Sequence, residues 1–175
     1  MTSNHNNYQS FSPGVQLVVA RSDQCREEAH GIIKTHIISS ISVGMLPFPI
    51  IDGIMLVNLQ LNLISRLADH YGVPFTRLSR TMVTSLIAGS LPVLATATGS
   101  SLLKLLPGFG YLAGNAALST LAGGVTYATG KVFVDHFEAG GTLVDYCPAA
   151  FRRQFRFELA RSRRAVEQLQ TQAAT

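Results

Sequence analysis

At 175 residues the chain is long enough for one domain and short for two. It is 47% hydrophobic and only 14% charged, where soluble domains carry about 25% charged residues, and its mean hydropathy is +0.25. That balance excludes disorder and disfavours an ordinary soluble globule, and the glycines and prolines show no fixed period that would suit a collagen-like or propeller architecture.

The net charge of +4 is local. From Pro148 to Thr175 stand six arginines against Glu158 and Glu167, which leaves the rest of the chain neutral. A basic segment on a neutral, apolar body suits an anionic lipid surface or an acidic partner, and not a nucleic-acid groove. Cys25 and Cys147 are expected to be free thiols on the cytoplasmic side, because the polar start of the chain lacks the basic and apolar regions of a secretion signal.

In chain order, residues 1–13 have the composition of a disordered tail. The apolar run Gly14–Ala20 fits a strand or a helix lead-in equally well. Ser22 or Asp23 offers an N-cap, with Glu27 and Glu28 following, so the first helix is predicted from there to about Gly44. Leu46-Pro47-Phe48-Pro49 stops it, since two prolines remove two amide donors and push their preceding residues out of the helical region.

A second helix is predicted from Ile50 to Tyr71, closed by Gly72 and Pro74. Ile50, Ile54, Val57, Leu61, Ile64, Ala68 and Tyr71 step along one face, and Leu56, Leu59, Leu63 and Leu67 widen it. Asn58, Asn62, Arg66 and Asp69 form the polar strip. Asp52 reads as a helix cap or a functional carboxylate, and Gln60 is a polar residue among apolar ones.

Met82–Leu103 is 22 residues without a charge and Leu105–Gly130 is 26 more. About 20 helical residues cross a hydrocarbon core, so the pair is predicted to form a transmembrane hairpin over 82–130, turning at Pro107-Gly108-Phe109-Gly110 and kinked at Pro92. Flanking arginines place both termini in the cytoplasm by the positive-inside rule, at an inner membrane. Rows of small residues, Ala88, Pro92 and Thr96 in one span and Ala116, Thr120, Gly124 and Ala128 in the other, let helix backbones approach closely. They hold the hairpin together or join copies of the chain into a homo-oligomer. After a break at Gly140-Gly141, a final helix from about Pro148 carries Phe151, Phe155, Leu159, Ser162, Val166 and Leu169 as a stripe flanked by arginines. Arg152, Arg153, Arg156, Arg163 and Arg164 are its candidate partner or lipid surface.

Signatures of chemistry are missing. Ala128-Thr129-Gly130-Lys131 lacks the spacing and the hydroxyl of a phosphate-binding loop, and Asp69-His70-Tyr71-Gly72 matches a GTPase switch motif only by chance. Cys25, His30 and His36 point to different faces of one helix, so no metal is expected, and Asp135, His136, Glu138 and Cys147 straddle a helix end. No nucleophile elbow or zincin motif occurs. No cofactor and no catalytic residue is therefore assigned.

Leu46-Pro47-Phe48-Pro49-Ile50-Ile51-Asp52, Asn58-Leu59-Gln60, Leu67-Ala68-Asp69-His70-Tyr71-Gly72 and the Pro107-Gly108-Phe109-Gly110 turn resemble domain of unknown function 697. That family is a helical, membrane-associated module commonly found after the nucleotide-binding domain of Era-like GTPases. The resemblance runs from about Glu28 to Gly141 and rests on proline, glycine and apolar patterns, with Pro47, Pro49, Asp52, Gln60 and Gly72 as motif positions. It implies an all-helical accessory domain working with a GTPase at a membrane. This chain carries no GTPase motif, so such a partner acts in trans.

The expected fold is thus an all-α bundle with a transmembrane hairpin and a basic amphipathic C-terminal helix. It divides into a tail over 1–13, a membrane-associated domain over 14–141 and the basic helix over 142–175. The expected function is that of a non-enzymatic integral membrane protein with the lipid bilayer and a GTPase as partners. An oligomeric pore and a soluble helical interaction domain are the alternatives.

Overall fold

The computed structural model describes residues 13–44, 49–97 and 109–173, with side chains described over 17–43, 54–87 and 119–162. Five α-helices make up these residues: α1 (Pro13–Gly44), α2 (Pro49–His70), α3 (Arg77–Ala97), α4 (Phe109–Glu138) and α5 (Pro148–Ala173). The all-α expectation holds.

The element ends follow local chemistry. Gly72 adopts φ 69°, and a Schellman cap closes α2 with Val73 N–H on the Ala68 carbonyl at 2.7 Å and Gly72 N–H on the Asp69 carbonyl at 3.2 Å. Gly140, at φ 80°, closes α4 the same way, with Gly141 N–H on the His136 carbonyl at 2.9 Å. Thr76 caps α3 by accepting the Ser79 amide on its hydroxyl. Pro148 opens α5, where a missing N–H costs nothing.

α1 starts earlier than predicted. Gly14–Ala20 is helical, and Ser22 lies inside the helix with its hydroxyl donating to the Val19 carbonyl at 2.8 Å, so it is no N-cap. A serine bonded back to its own helix satisfies itself without ending it. Residues 1–12 of the expected tail, and Pro47, lie outside the described residues.

α4 is the centre of the bundle. It runs antiparallel to α1, with Gly130 against Ile33 and Glu138 paired to Arg26. Against α5 it is antiparallel as well, Phe133 meeting Phe151 and Gly124 meeting Ser162. It runs parallel to α2, with Thr126 bonded to Gln60 and Phe137 beside Tyr71. The core is built from Ile33 and Ile37 of α1, Leu63, Ile64 and Leu67 of α2, Val125, Val132 and Phe133 of α4, and Phe151 and Phe155 of α5, all buried. A stretch apolar on every face has to be enclosed, and here other helices of the same chain enclose most of α4 between Ser119 and Phe137.

The transmembrane-hairpin expectation over 82–130 finds no support in this fold, and residues 98–108 of that stretch lie outside the described ones. Among the described residues no helix is long and apolar enough to cross a membrane. The described part of α3 packs on α2 and α5, and not as a tight antiparallel pair along α4. Over Ser119–Gly130 the uncharged sequence goes with burial inside the protein, and charge-free sequence does not distinguish a lipid solvent from a protein one.

Candidate interaction site

Charged and polar side chains gather where α2 and α4 end. Arg26 of α1 grips the Glu138 carboxylate through two nitrogens, Nε at 2.9 Å among them, and the Tyr71 hydroxyl donates to the same carboxylate at 3.1 Å. The Arg26 guanidinium holds Glu138 below the usual carboxylate range, and burial together with the nearby Glu138 charge pushes the Tyr71 phenol up. Next to this group His70 Nε2 donates to the Cys25 carbonyl at 2.8 Å and lies 3.3 Å from the Cys25 sulfur. Glu28 stands 3.9 Å from the other ring nitrogen. The nitrogen facing the thiol spends its proton on a carbonyl, so it has no lone pair to take the thiol proton.

The loop from α4 to α5 is tied down by His136. Its Nε2 donates to the Thr142 carbonyl at 2.8 Å and lies 3.3 Å from Asp145 Oδ1, which also accepts the Thr142 amide. The Thr142 backbone bond keeps Asp145 below the usual carboxylate range. Gly141 is required here, because a Cβ would collide with the His136 ring. Burial raises Tyr146, whose ring meets His136 edge-on, up to about 12. Asp135 pairs with Lys131 on the preceding turn. Cys147 is exposed at the start of α5, where the Ala150 and Ala149 amides lower its thiol.

The residues singled out from sequence fall in three places. Gly124 and Ala128 are buried inside the chain, Gly124 so close to α5 that a Cβ would stand 2.7 Å from the Ser162 hydroxyl. Thr120 is half-buried. Gln60 is buried, donates to the Thr126 hydroxyl at 2.8 Å, and leaves its Oε1 without a partner. Gly72 is the α2 cap described above. Arg152, Arg153 and Arg156 are exposed on α5. Pro49, Asp52, Ala88, Pro92, Thr96, Ala116, Arg163 and Arg164 lie in helices with side chains outside the described residues. Cys25, His30 and His36 do not converge: Cys25 meets His70, His36 faces the Asn62 amide at 3.0 Å, and His30 is exposed.

Two features escaped sequence reasoning. The α5 stripe turns on Glu158, which is buried beside Phe155 and Ser162, while Leu159 is only half-buried. Phe157 points outward and is 60% exposed. A helical wheel drawn through Phe151, Phe155, Glu158 and Ser162 would have shown both, had a carboxylate been admitted to the inner face.

No solved structure matches the chain. "Magnetosome membrane protein 22" of Magnetospirillum gryphiswaldense is 33% identical over 150 residues, covering 83% of this chain and 77% of that protein. The family model for the domain of unknown function DUF697 matches residues 14–150. With most of its length inside that match, the chain belongs to the DUF697 family.

Proposed function

We propose that this protein is a non-enzymatic, membrane-associated helical module that engages a bilayer with its uncharged end and works beside a GTPase acting in trans. The observation that carries the reading is the polarity of the bundle. The ion pairs Arg26–Glu138 and Lys131–Asp135 and the histidine–carboxylate contacts His70–Glu28 and His136–Asp145 stand toward the end where α2 and α4 finish, while the Arg161–Glu158 pair lies further along α5. From Met82 to Gly130 the sequence holds one charge, Lys104. A charged group is costly in hydrocarbon, so a body that puts its uncharged stretch into lipid keeps its ions at headgroup level or beyond. The membrane named for the magnetosome relative supports the same reading. The GTPase partner and the accessory role rest on the family resemblance.

A compact helical interaction domain is the second reading, favoured by the enclosure of α4 from Ser119 onward. Alkaline carbonate extraction of membranes from expressing cells separates the two. The membrane reading expects the chain to stay in the pellet and to need detergent. Quantitative release without detergent selects the interaction domain.

A further inference from the structure

We propose that the outward face of α5 binds the phosphate-bearing headgroups of an anionic lipid surface, with Phe157 entering the interface among the arginines. The proposal rests on the membrane reading above and names a surface and a lipid class for it. α5 buries Phe151, Phe155, Glu158 and Ser162, a spacing of four, three and four that puts all of them toward the bundle. The opposite face then carries Arg152, Arg153, Arg156, Phe157 and Arg161, all exposed. The acid of this stretch, Glu158, is turned inward, 5% exposed, and reaches only Arg161, at 3.6 Å, so no acid between 152 and 161 offsets Arg152, Arg153 and Arg156 on the outer face.

An interfacial amphipathic helix ordinarily gives lipid its apolar face. In this bundle that face is occupied by α4, and only the arginine face is free. Guanidinium groups match phosphate oxygens with paired donors, and a row of them near an anionic surface is attracted cooperatively. Phe157 supplies the apolar part. It is 60% exposed and accompanied by the Arg161 guanidinium, 5.4 Å from its ring centre. A ring of that size left in water amid cations gains by entering the headgroup and acyl boundary, while the guanidinium beside it stays with phosphate. The outer side of a helix is convex, and a convex basic surface with one projecting ring fits a deformable lipid interface better than a preformed protein pocket.

The full chain contains no tryptophan, so F157W is a lone reporter at the proposed point of entry. Its emission is expected to shift to the blue on phosphatidylglycerol-containing vesicles, less so on phosphatidylcholine alone, and the difference to shrink with added salt. R152Q/R153Q/R156Q changes only exposed side chains. It should lose the extra affinity for phosphatidylglycerol vesicles by on the order of a hundredfold, about fivefold per arginine, with an unchanged circular dichroism spectrum. Equal binding of the triple variant and the wild type to phosphatidylglycerol vesicles overturns the proposal and leaves the membrane reading standing, as does loss of binding to an acidic protein with lipid binding intact. An unshifted tryptophan overturns the role of Phe157. Absence of wild-type binding to either vesicle defeats both this proposal and the membrane reading.

Discussion

At the scale of single residues, the charged end of the bundle is held by one carboxylate that serves two helices. Glu138, in the last turn of α4, takes Arg26 of α1 and the Tyr71 hydroxyl just past the end of α2. In the folded protein its pKa lies below the ordinary carboxylate range, with the Arg26 hydrogen bond as the largest cause. A carboxylate depressed by folding contributes stability that is present above its unfolded pKa and is lost as pH falls through the folded one. E138Q is therefore expected to be less stable than the wild type at neutral pH, by about 1 kcal/mol or less because Arg26 is half exposed. The two proteins should converge as the pH drops below the ordinary carboxylate range. Denaturant unfolding at a series of pH values checks this, and a gap that persists at low pH would show that Glu138 acts through packing instead.

Among elements, α5 contains the clearest internal conflict. Glu158 stands on the face turned to the bundle, between Phe155 and Ser162, with Oε2 unbonded and its Oε1 3.6 Å from an Arg161 that is largely in water. A buried polar atom without a partner costs roughly 1–3 kcal/mol. E158L should raise the thermal midpoint of the full chain by an amount matching about 1 kcal/mol, since the leucine restores the apolar stripe that its neighbours already follow. A lower midpoint would reveal that the carboxylate has a partner that stabilises α5. The bounds of α2 and the break between α4 and α5 were legible in the sequence, because Gly72, Gly140 and Pro148 act through backbone conformation at their own positions. The start of α1 was not. Ser22 is an equally good cap or helix-interior residue locally, and only the continued helix before it selects the second role.

For the molecule as a whole, protection follows from which helices surround which. α4 between Val125 and Phe137 is enclosed by α1, α2 and α5, whereas the turns of α1 before Arg26 run past the end of α4 and leave Leu17 and Val18 exposed at 73% and 69%. Native-state hydrogen exchange should find the slowest amides between Val125 and Phe137 and fast exchange across Leu17–Arg21. Rapid exchange in the middle of α4 would contradict its position at the centre.

The same enclosure divides what is local from what is not. Amino-acid order alone determined the helical class, the glycine stops of α2 and α4, the polar strip of Asn58, Asn62, Arg66 and Asp69, and the concentration of charge in α5, because each depends on neighbours within a few residues. Only the tertiary structure decided that Gly124 and Gly130 admit Ser162 and Ile33, that Glu158 turns inward while Phe157 turns out, and that the uncharged Ser119–Gly130 stretch of α4 is wrapped by its own chain. Apolar residues leave water by the same free energy whether hydrocarbon or side chains receive them, so the identity of the receiving surface is a property of the assembled bundle.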